Sequence, residues 1–278
     1  MKYILLALGM TFFTSAQAAD TPPLPASGES LTTADGVRFA LWPKRLAEPA
    51  PLLFILSGDQ DETLSSKYFR QAGQFLANEG VVCVSVDLPC HGQDARPDEK
   101  GLTGWRRRCD KGEDFVAEVT GRLSAVLDHL IKEDIADPER IAASGTSRGG
   151  FIATHFAIAD ARVKHVLAFA PLADLARITE FKGAEDLPLV QKLSLEKNAS
   201  ILAGRSLWLV IGDRDDRVST ESVVRFARAV TQTTLETKSP AAVDLHVIAE
   251  PRGHTVPAGY AELGAAWLRK KFDLPASK

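Results

Sequence analysis

The sequence predicts an α/β protein in which a doubly wound, mostly parallel sheet carries helices on both faces within a single domain. Short apolar runs of strand length alternate along the chain with longer stretches of helical periodicity. Several of these runs are apolar throughout, which is typical of strands buried on both faces. With 278 residues, 45% of them hydrophobic, the chain is long enough to build one large core.

The first 18 residues predict a secretory signal peptide. Lys2 provides a basic start, residues 3–13 are apolar but too few to span a bilayer, and Ala16-Gln17-Ala18 forms a cleavage site. We therefore expect a mature chain that begins near Ala19, is secreted or periplasmic, and has no stable insertion in a membrane. Residues 19–36 are predicted to be a flexible lead-in to a domain that covers residues 37–278.

The predicted strands follow the apolar runs. The clearest run, 51–56, ends at Ser57-Gly58 and fits a buried strand, whereas the first run, 37–42, is expected to be an edge strand. In chain order, the predicted strands cover residues 37–42, 51–56, 81–86, 141–143, 163–170, 207–211 and 243–249.

The predicted helices rest on apolar residues that recur every three or four positions, as Phe115, Val119 and Leu123 do. In chain order, these helices cover residues 65–78, 115–131, 149–158, 221–230 and 258–271. The segment 172–203 mixes apolar and charged residues. It predicts either small helices that form a lid over a pocket or a plain pair of connecting helices.

The stretch from Gly145 to Gly149 fits the pattern G-x-S-x-G between a predicted strand and a predicted helix. In that setting the pattern forms a nucleophile elbow, a sharp turn that exposes Ser147 in a strained conformation. Since a serine hydroxyl is a poor nucleophile at neutral pH, it needs a histidine base. The alternative interpretation is an ordinary helix N-cap, which does not require the flanking glycines.

An acid and a histidine follow Ser147 in the order that this arrangement requires. His254 lies between the last predicted strand and the last predicted helix. The acid is one of three aspartates, Asp213, Asp215 and Asp216, that crowd the loop after the strand 207–211, where turns also attract aspartate for local reasons. Four other histidines lie in or beside predicted helices and strands and are expected to be structural: His129, His155, His165 and His246.

Taken together, these motifs resemble the α/β-hydrolase superfamily from about residue 37 to the C-terminus. The resemblance rests on Ser57-Gly58, the segment 87–92 (Asp-Leu-Pro-Cys-His-Gly), the elbow, and the loops that carry the acid and the histidine. Gly149-Gly150 and the Gly-x-x-Asp-Asp-x-Val loop from Gly212 are similar to the dienelactone-hydrolase, acetyl-esterase and prolyl-oligopeptidase branch. The chain lacks the propeller of true prolyl oligopeptidases.

The resemblance implies a serine hydrolase that cleaves a carboxylic ester through a Ser-His-Asp triad, with a small ester or short peptide as substrate and no cofactor. Family spacing from Gly212 selects Asp215 as the acid. The backbone N–H groups of Arg148 and Asp59 are expected to form the oxyanion hole, with Gln60 as the alternative to Asp59. The side chain of Asp59 is expected to point away, toward Arg148 or the run Arg106-Arg107-Arg108.

Two alternatives to the esterase stay open: a prolyl-oligopeptidase-like peptidase and a non-catalytic hydrolase-like binding protein. His91 is expected to shape the site without titrating in catalysis. A net charge of −3 excludes a typical nucleic-acid binder, and the histidine spacing and the absence of CxxC exclude a recognisable metal motif. Arg106-Arg107-Arg108 predicts a solvated loop or a contact with an anionic substrate. Cys90 and Cys109, both in predicted loops, form either a disulfide or two unpaired thiols.

Overall fold

The computed structural model describes residues 28–239 and 242–275. The predicted signal peptide and its cleavage site lie outside the described residues. Eight strands form one sheet: β1 (Glu29–Thr32), β2 (Arg38–Trp42), β3 (Ala50–Leu56), β4 (Val82–Ser85), β5 (Ala136–Thr146), β6 (His165–Phe169), β7 (Ser206–Gly212) and β8 (Val243–Ile248). Their order across the sheet is β1-β2-β4-β3-β5-β6-β7-β8. The pairs β1–β2 and β2–β4 are antiparallel and the other pairs are parallel, which confirms the predicted fold class.

Helices cover both faces of this sheet. They are α1 (Gln60–Ser65), α2 (Lys67–Arg70), α3 (Gly73–Leu76), α4 (Gly101–Asp110), α5 (Phe115–Lys132), α6 (Arg148–Ala159), α7 (Pro188–Lys192), α8 (Thr220–Thr237) and α9 (Tyr260–Lys271). In β3, Phe54 and Leu56 enter the core under α4 to α8, while Leu53 and Ile55 enter the core under α1, α3 and α9. Two cores on opposite faces explain why β3 is apolar at every position.

The N-terminal boundary of the domain lies earlier than the sequence predicted. Residues 29–32 form β1 instead of a flexible lead-in, and β2 is therefore an interior strand and not an edge strand. β1 is mostly exposed and reads Glu-Ser-Leu-Thr, so it carries no apolar run. Backbone hydrogen bonds to β2 hold it, and they leave no signal in the sequence.

One predicted helix and one predicted loop also need correction. The predicted helix 65–78 is broken between α2 and α3 at Gln71, whose φ is +41°, and α1 precedes it. The break brings Gly73 against β3, where a Cβ atom would lie 2.4 Å from Ile55 Cδ1. The helix α4 was not predicted. Its buried residues include an arginine, Arg108, as well as Trp105 and Cys109. Because a charged residue occupies a buried position, the helix has no clear apolar periodicity in the sequence.

The cysteines are unpaired, which is the second of the two alternatives for Cys90 and Cys109. Cys109 lies in α4 and not in a loop. Cys90 Sγ lies 3.6 Å from a carboxylate oxygen of Glu99, and burial raises the pKa of the Cys90 thiol to about 12. Burial likewise raises the pKa of the Cys109 thiol to about 12, so both thiols stay protonated at neutral pH.

The segment 172–203 contains α7 and three single turns of 3-10 helix, over 175–177, 179–181 and 199–202. It is therefore built from short helical pieces and not from a pair of long connecting helices. Among the helices that the structure describes, none is both long and apolar enough to cross a membrane.

Candidate active site

Ser147 sits between the end of β5 and the start of α6, with φ +56° and ψ −117°. This backbone conformation is strained for a residue with a side chain. It is possible because the neighbouring glycines let the chain turn sharply. A Cβ on Gly145 would lie 2.2 Å from the carbonyl carbon of Gly149, and a Cβ on Gly149 would lie 1.8 Å from Leu56 O. The helix therefore starts directly against β3, and the serine side chain is raised above the strand ends.

The structure brings Ser147, His254 and Asp215 together in one hydrogen-bonded row. His254 Nε2 lies 3.0 Å from Ser147 Oγ, and His254 Nδ1 lies 2.7 Å from Asp215 Oδ2. An ionised carboxylate can only accept, so Nδ1–H donates to Asp215 and Nε2 accepts the Ser147 hydroxyl proton. Ser147 and His254 are 107 residues apart in the chain and meet only because the sheet aligns their loops.

The geometry distinguishes among the three candidate aspartates. Asp215 is 1% exposed, and its Oδ1 accepts hydrogen bonds from the backbone N–H groups of Arg217 and Val218, both at 3.2 Å. Asp213 is exposed, and its Oδ1 accepts from the backbone N–H of Glu250 at 2.9 Å. Asp216 is exposed. Asp215 alone of the three contacts His254, as family spacing predicted.

The two backbone N–H groups predicted for an oxyanion hole have no acceptor in the described part of the chain. The N–H of Arg148, at the start of α6, has no acceptor within the helix. Across 28–239 and 242–275, Asp59 N–H has no acceptor either, whereas Gln60 N–H donates to Asp87 Oδ1 at 2.9 Å. Gln60, the alternative donor, is therefore already occupied.

The expected direction of the Asp59 side chain is wrong. Its carboxylate accepts a hydrogen bond from the Glu62 N–H at 2.8 Å and so caps α1, instead of reaching Arg148 or the arginine run. The cap explains why an acidic residue is tolerated next to the proposed oxyanion site. The carboxylate is held on the helix side of the loop while the backbone N–H is left without a partner.

The arginine run is not a solvated loop, because it lies in α4. Arg108 is 1% exposed and binds Glu99 at 2.9 Å and Asp94 at 2.8 Å, so that residue is structural. Arg106 donates to the backbone oxygens of Glu180 and Lys182, at 3.4 and 3.0 Å, and ties α4 to the segment 172–203.

Two charged side chains that interact with Arg148 carried no signal in the sequence: those of Glu180 and Arg217. Arg148 Nε–H donates to Ser57 O at 2.7 Å, and Arg217 Nη2 binds Glu180 Oε1 at 2.6 Å. Burial is the main cause that lowers the pKa of the Arg148 guanidinium, and Arg217 acts in the same direction. Their partners are distant in sequence, so only the folded chain shows the group.

The remaining histidines make contacts typical of structural residues. His155 Nε2 bonds with Leu193 O at 3.0 Å, and burial lowers the pKa of His155 to about 4. His165 packs edge-on against Trp267, and burial also lowers its pKa to about 4. His91 Nδ1–H donates to Pro89 O at 2.9 Å, which fixes the tautomer that leaves Nε2 as an acceptor.

No group of three His, Cys, Asp or Glu side chains in the described part of the chain has a geometry that could hold a metal ion.

Comparison with known proteins places this geometry in a family. A family model described as "Alpha/beta hydrolase family" matches residues 63–273. The acylamino-acid-releasing enzyme of Arabidopsis thaliana is 27% identical over 168 residues, which cover 49% of this chain and 22% of that enzyme. The chain thus spans about a fifth of that curated relative.

Two solved structures of similar size share the fold. TT1662 from Thermus thermophilus superposes with a TM-score of 0.68 at 20% identity, covering 89% of this chain and 98% of TT1662. An acetyl xylan esterase from Paenibacillus sp. R4 gives a TM-score of 0.61 at 18% identity, covering 91% of this chain and 86% of that chain. At these identities the likeness concerns the fold alone. With a family model that matches most of its length, the chain belongs to the alpha/beta hydrolase family.

Proposed function

We propose that this chain is an exported serine hydrolase that cleaves a carboxylic ester through an acyl-enzyme, with Ser147, His254 and Asp215 as its catalytic triad. The observation that carries the proposal is the unbroken hydrogen-bonded row from Asp215 through His254 to Ser147, on a backbone strained to expose the serine. Such a row converts a weak hydroxyl nucleophile into a reactive one.

In the first half-reaction, Ser147 Oγ attacks the ester carbonyl carbon and its proton passes to His254 Nε2. Asp215 stabilises the resulting imidazolium through Nδ1–H. The carbonyl oxygen becomes an oxyanion, which accepts hydrogen bonds from Arg148 N–H and Asp59 N–H. As the tetrahedral intermediate collapses, His254 donates its proton to the leaving oxygen, and the alcohol departs.

In the second half-reaction, water attacks the acyl-serine carbonyl. His254 takes a proton from the water, and the same two N–H groups hold the second oxyanion. Collapse breaks the bond to Ser147 Oγ, which regains its proton from His254. The products are one carboxylic acid and one alcohol, and the enzyme returns to its starting state.

A peptidase is the second candidate, since the same residues can cleave an amide. The similarity to the plant acylamino-acid-releasing enzyme favours it. The fold shared with the acetyl xylan esterase from Paenibacillus sp. R4 favours the ester. A non-catalytic binding protein is the weakest candidate, because binding alone does not need a histidine poised between a serine and a buried carboxylate.

The test uses the purified mature protein with a fluorophosphonate probe and a panel of acyl p-nitrophenyl esters and aminoacyl anilides. We expect labelling at Ser147, ester turnover, and loss of both in Ser147→Ala. We also expect kcat/KM to fall as the acyl chain lengthens from acetyl or butyryl to dodecanoyl. Turnover that survives in Ser147→Ala removes the proposal, and cleavage of anilides without ester preference selects the peptidase.

Export has its own test. Protein purified from the native host should begin at or near Ala19, the residue after Ala16-Gln17-Ala18. N-terminal sequencing that finds an intact Met1 contradicts export through this signal.

A further inference from the structure

Arg148 places an unpaired cation beside the proposed nucleophile. Its side chain is partly buried, and Nε donates to Ser57 O, whereas the two Nη groups have no hydrogen-bond partner among the described residues. Within residues 28–239 and 242–275, no carboxylate oxygen lies within 4.0 Å of its nitrogens. Keeping a charge without an ion-pair partner in a partly buried place lowers stability, and groups of this kind concentrate at binding sites.

A second guanidinium interacts electrostatically with the first. Arg217 follows the triad acid by two residues, and its Nη2 binds Glu180 Oε1 at 2.6 Å. Its Nη1 atom is buried and, in the described part of the chain, has no hydrogen-bond partner. Arg148 interacts electrostatically with Arg217, Glu180 and Glu62 without forming an ion pair with either carboxylate. Among the described residues, Arg148, the neighbour of Ser147 in the chain, thus has two guanidinium nitrogens without a hydrogen-bond partner, and Arg217 has one.

The position of Arg148 indicates which part of a substrate it meets. His254 Nε2 has to reach the leaving oxygen, so the leaving group lies toward the His254 loop, where Val256 N–H donates to the Tyr68 hydroxyl at 3.4 Å. Arg148 instead lies against Ser57 and Gly58 at the end of β3, with Nη2 3.4 Å from the position of a Cβ on Gly58. In the described part of the chain no hydrogen bond or ion pair joins Arg148 to the His254 loop, which leaves the acyl group as the part of the substrate that Arg148 can meet.

We propose that Arg148, with Arg217 beside it, binds a carboxylate on the acyl part of the substrate. Preferred substrates are then half-esters of short dicarboxylic acids, whose free carboxylate forms an ion pair with Arg148. A planar guanidinium pairs with a carboxylate through two parallel hydrogen bonds, which fixes position as well as charge. This inference rests on the proposed function, because it assumes acyl transfer at Ser147.

A pair of methyl esters with the same shape tests it. Monomethyl succinate carries the carboxylate, and methyl succinamate replaces that carboxylate by a neutral amide. We expect wild-type kcat/KM, followed by methanol release, to be at least about tenfold higher for the anion, as for a hydrogen bond to a charged group. The ratio of kcat/KM for the anionic ester to kcat/KM for the neutral ester should fall to about one in Arg148→Met. In Arg148→Lys the ratio should lie between that of the wild type and one.

Two further variants separate an effect of charge from an effect of misfolding. The ratio of kcat/KM for the two esters is measured within one protein, so a loss of folded protein does not change it. Arg140→Met removes an arginine near the opposite end of β5, where it pairs with Asp137, and should leave the ratio unchanged. Glu180→Gln frees Arg217 from its counter-ion and should raise the ratio. An unchanged ratio in Arg148→Met, or a lower ratio in Glu180→Gln, overturns the assignment.

The failure of this inference can be told from the failure of the proposed function. Equal kcat/KM for both esters in the wild type removes the inference and leaves the hydrolase. If Ser147 is labelled but neither ester is turned over, the test becomes a protection assay. In that assay monomethyl succinate must slow fluorophosphonate labelling more than methyl succinamate does. Absence of both turnover and labelling removes the proposed function and this inference with it.

Discussion

At the scale of single residues, the site depends on close approaches that only glycine permits. Gly149 lies so near β3 that any Cβ would sit 1.8 Å from Leu56 O, far inside van der Waals contact. The obstacle is backbone in a central strand, which cannot rotate away as a side chain could. Gly121, in the middle of α5, has open space around the position of its missing Cβ.

Gly149→Ala and Gly121→Ala should therefore change stability in opposite directions. Gly149→Ala should lower the free energy of unfolding by about 1–3 kcal/mol, because α6 or β3 has to shift. Gly121→Ala should raise it by about 0.5–1 kcal/mol, since alanine is the better helix former. Urea unfolding of both variants measures this, and a Gly149→Ala protein as stable as wild type contradicts the packing at the elbow.

The identity of the acid is a second prediction at this scale. Asp215→Asn should lower kcat/KM for a p-nitrophenyl ester by about a thousandfold or more, because an amide at this position favours the wrong tautomer of His254. Asp213→Asn and Asp216→Asn serve as matched controls in the same loop, since both side chains are exposed. If either control loses more activity than Asp215→Asn, the acid has been assigned to the wrong residue.

At the scale of elements, α4 is held to the rest of the domain by a buried charge cluster. Arg108 lies 1% exposed against Glu99 and Asp94, and Arg122 also binds Asp94, at 3.0 Å. A cluster of this kind stabilises little in net terms, because desolvation offsets attraction. Its integrity matters because removing one member leaves the others buried without a counter-ion. Arg106 then links α4 to the backbone of the segment 172–203.

Adjacent arginines of α4 test this cluster. Arg108→Met should lower the free energy of unfolding by about 3–5 kcal/mol, because Glu99 loses its main counter-ion in a buried position. Arg107→Met removes the same charge from the exposed face of α4 and should change stability by about 0.5 kcal/mol or less. Denaturant unfolding of the two variants gives the comparison. Similar losses in both would show that the cluster does not hold α4.

At the scale of the whole molecule, the two faces of the sheet each hold a histidine in its neutral form, His155 buried and His165 half-buried. His155 belongs to the face covered by α6, and His165 packs against Phe272 after α9 on the other face. Burial lowers the pKa of each to about 4, against an ordinary value near 6.5. Between these pH values the unfolded chain therefore binds more protons than the folded protein. Both histidines, one on each face of the sheet, contribute to this dependence of stability on pH.

The free energy of unfolding should consequently fall as the pH decreases from about 6.5 to about 4. Its slope against pH should approach the value for the uptake of two protons on unfolding. The sign follows because a depressed histidine pKa makes protonation favour the unfolded state. Urea unfolding at intervals between pH 7 and pH 4.5 measures the slope, and His155→Gln should reduce it by about one proton. A stability that does not change over this range contradicts the burial of both histidines.

Local patterns in the sequence determined the fold class and most of the site. Apolar runs and helical periodicity are local properties, and they predicted the parallel strands and α5, α6, α8 and α9 of the observed sheet and its layers. The elbow is equally local, because close approach of the backbone at Gly145 and Gly149 has to be written into residue type. The chain order of Ser147, the acidic loop and His254 followed from the same pattern.

Only the tertiary structure decided which polar groups meet. It brought Asp215 and not its neighbours to His254, paired β1 with β2, and turned Asp59 away from Arg148. The physical reason is that charged side chains and polar strands carry no periodic apolar signal. Their positions depend on hydrogen-bond partners that are remote in sequence. The guanidinium groups of Arg148 and Arg217 belong to this class, since they interact electrostatically although 69 positions separate them along the chain.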